Sequence, residues 1–325
     1  MSLSYRLAEE EDFPALQNLW MSETNWGALT QQMWKRYVVD APLGGVSGTI
    51  AVDDDTGEIV GEFVFMPSLV TVFGREYRAF RPGAPILAKS LRFRSPNLLS
   101  HPIVRMYMHA VRALRDRGDG LIYMVPDPRW LRFFRMFPAL TGGSFPLWRL
   151  DVPLAQQFKF PDGYTSRPIS DFGDESIDRL WKVWSQYHKC SVVRDSRSLP
   201  WKIGYGDYDV LGIEHADELV GLVASRKKGD KQWLVCDVLA ADCDRALRAT
   251  LLAVSNLASD RALASGPNDP VRKVAVLVTP PMEQIVRSLG FVRDSYDFPL
   301  VVHILNKAIT KQEISPSNWY VSAND

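Results

Sequence analysis

Cysteine is scarce in this chain of 325 residues, with only Cys190, Cys236 and Cys243 present. A small, odd number excludes a disulfide-stapled scaffold and fits a reducing, cytoplasmic setting. Neither sign of charge prevails, with 38 basic against 38 acidic side chains, so a broad nucleic-acid-binding surface is not expected. No apolar run approaches the ~18 residues of a membrane span, and the first residues lack the basic segment and apolar core of a secretion signal. His101, His109, His188, His215 and His303 show no pair at zinc-site spacing, so no metal is expected. The remainder, 46% hydrophobic with 23% charged residues, is the composition of a globular protein long enough for two domains of about 150 residues each.

What the sequence does contain is an internal echo. Ile59-Val60-Gly61-Glu62-Phe63-Val64-Phe65 returns as Leu219-Val220-Gly221-Leu222-Val223-Ala224-Ser225. Asp12-Phe13 with Leu19-Trp20 returns as Asp171-Phe172 with Leu180-Trp181, and Val125-Pro126-Asp127-Pro128 as Val278-Thr279-Pro280-Pro281. Solenoid repeats run about 20–50 residues; a period three times longer points to a duplicated domain. The division expected is a first domain over 1–155, a linker over 156–163 containing Pro161-Asp162-Gly163, a second domain over 164–306, and a surface tail over 307–325. The two copies would form a monomeric pseudo-dimer or take part in a homodimer.

Within one copy, an alternating start at Tyr5-Arg6-Leu7 predicts a strand, and Phe13, Leu16, Leu19 and Trp20 recur at helical spacing. A hairpin turns at Asp54-Asp55-Thr56-Gly57, glycine standing where positive φ is needed. Pro102 to Arg117 predicts a helix with proline in its first turn, Leu121 to Val125 a buried strand, Arg129 to Phe137 a short helix, and Ser144 to Leu154 a closing strand. The second half repeats the order, with a long helix over Asp244 to Ser259 and a last helix ending at Leu289-Gly290-Phe291.

This order, and above all Pro280 to Phe291 with its Leu-Gly-Phe turn, resembles the GNAT superfamily of N-acetyltransferases. The resemblance covers roughly 4–154 and 164–306. It implies an α/β (α+β) fold of tandem GNAT-like domains, each a mixed, mostly antiparallel sheet flanked by helices. It also implies acetyl-CoA or another acyl-CoA as co-substrate, its pantetheine arm lying where the strand before the long helix splays from its neighbour. A family loop of pattern Arg/Gln-x-x-Gly-x-Gly/Ala holds the diphosphate on backbone N–H groups. In the first copy that place reads Arg94-Ser95-Pro96-Asn97-Leu98-Leu99. Asn97 and Leu99 replace the two small residues, and Pro96 removes a donor. It is open to two readings: a diphosphate loop leaning on Arg92, Arg94, Ser95, Asn97 and Ser100, or an ordinary strand-to-helix loop. The second copy has Asp242-Cys243-Asp244 and no glycine there. Two carboxylates repel a diphosphate, and Asp242 or Asp244 reads most simply as a helix N-cap. Cys243, at that helix start, is a candidate for a lowered pKa.

Amide-forming acyl transfer needs a base, an oxyanion stabiliser and an acid for the thiolate. Neither last helix carries the tyrosine that GNAT enzymes often use as acid, so Tyr123 is the substitute candidate; the competing reading is a core residue with a satisfied hydroxyl. Glu62 interrupts an apolar strand and is the candidate base, against a reading as a solvent-facing residue. Asp127 reads as a helix cap. Trp26, Trp34 and Tyr37 are candidates for an apolar substrate wall, or for core.

The function expected is acyl-CoA-dependent N-acylation of a small-molecule amine acceptor, with the first copy as the CoA-binding lobe. The alternatives are an aminoacyl-tRNA-dependent transferase of the Fem type, in which charged tRNA would be the nucleic-acid partner, and a non-catalytic GNAT-like binding protein.

Overall fold

Residues 59–72 are apolar on both sides of the strand, and they form one long strand buried on two faces. The computed structural model describes residues 2–25, 28–35, 43, 48–92, 97–126, 131, 140–152, 157–204, 208–229, 232–264 and 273–325. Contacts divide the chain into two units: Met1–Val70 with Glu76–Met124 and Val302–Thr310, and Thr71–Arg75 with Val125–Val301 and Lys311–Asp325.

The first unit runs β1 (Leu3–Leu7), α1 (Phe13–Glu23), α2 (Gln31–Trp34), β2 (Gly48–Asp53), most of β3 (Ile59–Val72) and of β4 (Arg75–Pro82), β5 (Ile86–Leu87), α3 (Pro102–Asp116) and β6 (Leu121–Met124). Its sheet order is β1-β2-β3-β4-β6. β1 with β2, β2 with β3, and β5 with β3 pair antiparallel. β4 and β6 are parallel over only Ala79↔Leu121 and Phe80↔Ile122. The expected hairpin turns at Gly57 with φ 72°, a backbone that glycine adopts without a steric cost.

Alternation along β3 decides what each face meets. Phe63 and Phe65 point to α3, their rings 6.1 and 6.0 Å from that of Tyr107. Glu62 and Val64 point the other way, under α1 and α2, beside the cluster of Leu16, Leu29, Trp34 and Ile50. Gly61 brings α3 down onto the strand: a Cβ there would stand 3.2 Å from Met106 Cε and 3.0 Å from Leu87 Cδ1. Helix α3 opens at Pro102, and the His101 ring nitrogen Nδ1 accepts the Ile103 N–H at 3.3 Å.

The second unit contains β7 (Leu140–Asp151), β8 (Tyr164–Pro168), α4 (Glu175–Trp184), β9 (Cys190–Val192), α5 (Ser198–Ile203), β10 (Asp209–His215), β11 (Glu218–Lys228), β12 (Gln232–Ala240), α6 (Arg245–Ala264), β13 (Lys273–Leu277), α7 (Glu283–Ser288), most of β14 (Val292–Ile304) and β15 (Trp319–Tyr320). Its order is β14-β7-β13-β12-β11-β10-β8, antiparallel at β8–β10–β11–β12 and β13–β7 and parallel at β12–β13. Gly221 stands on β11 as Gly61 does on β3, under α6. The expected turn at Gly290 has φ 86°. Each unit is thus a mixed, mostly antiparallel sheet with helices on it, as the sequence predicts.

The units are drawn differently from the division at 156–163. The closing strand of the first half, β7, pairs with β13 from Lys273↔Asp151 to Leu277↔Leu147, which puts it in the second unit. Residues 302–304 of β14 lie beside β6 and belong to the first.

The expectation for 307–325 is overturned. This segment is not a surface tail: Ile309, Ile314, Trp319, Tyr320 and Val321 are buried, and β15 pairs parallel with β9. Its apolar residues show no helix or strand period because the segment is mostly turns, with one strand of two residues.

Candidate functional site

The first unit carries two neighbouring cavities. One, of about 230 Å³, is lined by Trp20, Leu29, Met33, Trp34, Glu62, Val64, Met66, Arg81, Gly83, Ala84 and Ile86. β3 supplies Glu62, Val64 and Met66, and α1 and α2 roof them. Glu62 is 2% exposed, so its reading as a solvent-facing residue does not hold. Its Oε2 has no hydrogen-bond partner among the described residues, nor has Nε1 of Trp34. Burial pushes the Glu62 carboxyl up to about 7, because removing a carboxylate from water disfavours its charged form.

The second cavity, of about 550 Å³, is lined by Ser22, Glu23, Thr24, Asn25, Pro85, Ile86, Leu87, Lys89, Arg92 and Ile103. Arg92 sits here in an internal ion pair. Its Nη2 donates to Glu23 Oε2 at 2.8 Å and to the Glu23 carbonyl at 3.0 Å, and its Nε to the Leu87 carbonyl at 2.9 Å. The Lys89 backbone N–H also donates to Glu23 Oε2, at 3.1 Å. One carboxylate oxygen is therefore held by a guanidinium and a backbone amide, the donor set that holds a phosphate oxygen.

The fold brings Glu62 and Trp34 to one cavity and Arg92 to the adjoining one. Asn97 and Ser100 are exposed in the turn before α3, where Asn97 Oδ1 accepts the Leu99 N–H at 3.0 Å and Ser100 Oγ donates to the Asn97 carbonyl at 2.7 Å. Tyr123 is buried on β6, its hydroxyl accepting from Ser68 Oγ at 3.1 Å, and lines neither cavity. Trp26, Tyr37, Arg94, Ser95 and Asp127 lie outside the described residues. Reading the sequence missed Glu23, although a signal was present. An acidic residue in the last turn of a helix opposes the helix dipole, so Glu23 at the end of α1 wants a cation elsewhere.

In the second unit the space beside its parallel pair is filled from within. β12 and β13 pair over Trp233↔Val274 and Leu234↔Ala275. Beyond that, the space lined by Val235, Asp237, Val238, Val276, Leu277, Met282, Tyr320 and Ser322 is about 10 Å³, at the lower limit of what one water needs. The Tyr320 hydroxyl donates to the Val238 carbonyl at 2.7 Å and accepts the Val238 N–H at 3.0 Å. Buried Arg194 pairs with Asp237 and Asp325, each at 2.6 Å, and Lys202 pairs with the same two carboxylates. Burial alone would raise the Asp325 carboxyl; Arg194 and Lys202 outweigh it and hold it well below the usual range. At the start of α6, Asp242 Oδ1 accepts the N–H groups of Asp244 at 2.8 Å and Ala246 at 3.0 Å, the capping role expected. Cys243 is corrected: burial, then Asp242, push its thiol up to about 11 rather than down.

Among the described residues, no helix is long and apolar enough to cross a membrane, and no group of three or more His, Cys, Asp or Glu side chains is placed to hold a metal ion.

No protein-family model matches the sequence, and no curated protein is significantly similar to it. Solved structures do match. A GCN5-related N-acetyltransferase from Anabaena variabilis has a TM-score of 0.68 at 11% identity, over 94% of this chain and 73% of that one. A probable N-acyltransferase of unknown function from Enterococcus faecalis has 0.65 at 12%, over 94% and 73%. Saccharomyces cerevisiae N-myristoyltransferase, solved with bound myristoyl-CoA and inhibitors, has 0.57 at 10%, over 94% and 80%. With its mixed, mostly antiparallel sheets and the short parallel pair of β4 and β6, joined through α3, the chain has the fold of the GCN5-related N-acetyltransferases.

Proposed function

We propose that the protein is an acyl-CoA-dependent N-acyltransferase acting on a small amine, with the chemistry in the first unit. The observation that carries this reading is Glu62: a buried carboxyl, one oxygen without a partner, facing a cavity of substrate size in an acyltransferase fold. A base raised to about 7 is matched to taking a proton from an amine near neutral pH. Acyl-CoA, when bound, supplies a thioester whose C–S bond breaks as the N–C bond forms. Arg92, Asn97 and Ser100, with Arg94 and Ser95, are the proposed diphosphate contacts. The cavity beside Arg92 supports this, since its donors suit an anionic oxygen, and a diphosphate would have to displace the Glu23 carboxylate that they hold. Tyr123 is proposed to protonate the departing thiolate; its support is its position on β6, next to β4.

The second unit is proposed as a duplicated copy that does not bind acyl-CoA. Asp242 spends its carboxylate on capping α6, and Tyr320 takes up the backbone amide and carbonyl of Val238.

The test is thermal stability with acetyl-CoA and longer acyl-CoAs. Ligand at about 100-fold over Kd adds about 2.7 kcal/mol. Arg92→Ala should abolish the shift, and Glu23→Gln, which frees Arg92, should reach it at lower ligand. Absence of a shift with every acyl-CoA sinks the reading. A shift with charged tRNA alone replaces it by the aminoacyl-tRNA-dependent one.

A further inference from the structure

The Glu62 cavity is specific about what it can hold. Its volume of about 230 Å³ is below the roughly 300–1,000 Å³ of pockets for drug-sized ligands, so it suits a compact molecule. Its walls are Trp20, Leu29, Met33, Trp34, Val64 and Ile86, all apolar or aromatic. Among the described residues that line it, Glu62 and Arg81 are the charged ones. Glu62 offers one buried oxygen that wants a donor, and among the described lining residues it is the one carboxylate. Arg81 puts a guanidinium on the same wall.

We infer that the cavity binds a compact amine with one cationic centre and an apolar or aromatic body, and that it rejects diamines and polyamines of similar length. This deepens the acyltransferase reading and rests on it in making that amine the acyl acceptor. The physical reason for selectivity is the second charge. One ammonium meets Glu62 Oε2, while its apolar body displaces water from the indole and aliphatic walls. A second ammonium would find no second carboxylate among the described lining residues and would stand on the same wall as a guanidinium, which is unfavourable.

Isothermal titration of the full chain at a pH above 7 tests this, with 2-phenylethylamine and 1,4-diaminobutane as probes, each with and without saturating CoA. Phenylethylamine should bind at least about tenfold more tightly than diaminobutane. Glu62→Gln, nearly isosteric, should weaken phenylethylamine by about tenfold or more. Met33→Trp narrows the same space from its exposed edge and should weaken phenylethylamine too, without touching the carboxyl. Equal or tighter binding of the diamine overturns the inference. So does phenylethylamine binding that both variants leave unchanged, or no binding at about 10 mM in either arm. The two readings fail separately. Selective amine binding with no acyl-CoA shift keeps the ligand class and removes the reaction. Acyl transfer to diaminobutane in preference to phenylethylamine keeps the reaction and overturns the class.

Discussion

A glutamate held in an apolar cavity makes two pH dependences of opposite benefit. The Glu62 carboxyl stands near 7 in the fold against an ordinary 4.5. Below pH 4.5 it is protonated in both folded and unfolded chains. Between 4.5 and 7 only the folded chain retains the proton, so stability falls as pH rises through that window and levels off above it. The loss is on the order of 3 kcal/mol. Denaturant titrations across pH 4–8 should therefore show Glu62→Gln gaining on the native protein as pH rises, and parallel curves would refute the buried carboxyl. Comparing the two proteins cancels the buried histidines. Burial, then Arg194, lowers His188 to about 3, and burial, then Arg115, lowers His303 to about 4; these act in the opposite sense, losing stability as pH falls below 6.5. Under the proposed mechanism the acylation rate should rise about tenfold per pH unit below 7 and then flatten. At this scale the sequence was legible where a residue broke a local pattern. Glu62 interrupts an apolar strand, and Asp242 precedes a helix. The Arg92–Glu23 pair spans two elements and could not be read from either alone.

The repeated Val-Gly pair belongs to the scale of elements, and its meaning is packing. Both glycines lie where a long helix rests directly on a strand. At Gly221 a Cβ would stand 2.3 Å from Thr250 Oγ1 and 3.1 Å from Ile213 Cβ, and Thr250 is itself tied to the Ala246 carbonyl at 2.7 Å. At Gly61 the nearest atoms are the ends of Leu87 and Met106 side chains, which can turn aside. Gly221→Ala should therefore cost about 1–3 kcal/mol, and Gly61→Ala less. Urea denaturation of the two variants checks the order, and a reversed order would refute the packing account. Hairpins, α3 and α6 were legible because period and turn chemistry agree over many residues. The segment 307–325 was not: it is buried by pairing and by isolated anchors such as Trp319 and Tyr320, and neither leaves a period.

At the scale of the molecule, the echo in the sequence and the compact units disagree about where one part ends. The first unit needs residues 302–310, and the second contains β7 from the first half. Residues 1–155 made alone should fail to give a cooperative unfolding transition, and mixing them with 164–325 should restore one. Independent folding of 1–155 would refute that membership. Local propensity reads elements well, but it carries no information on which strand pairs with which at long separation, so the boundary at 156–163 followed the repeat rather than the contacts. The same feature sets a timetable during synthesis. After Met124 has been made, 302 − 124 = 178 further residues must follow before the strand beside β6 exists. At about 5–20 residues per second that is a wait of roughly 10–40 s. The part of the chain that is translated first is therefore completed late, and until then the edge of β6 is left for a chaperone, or another nascent chain, to meet.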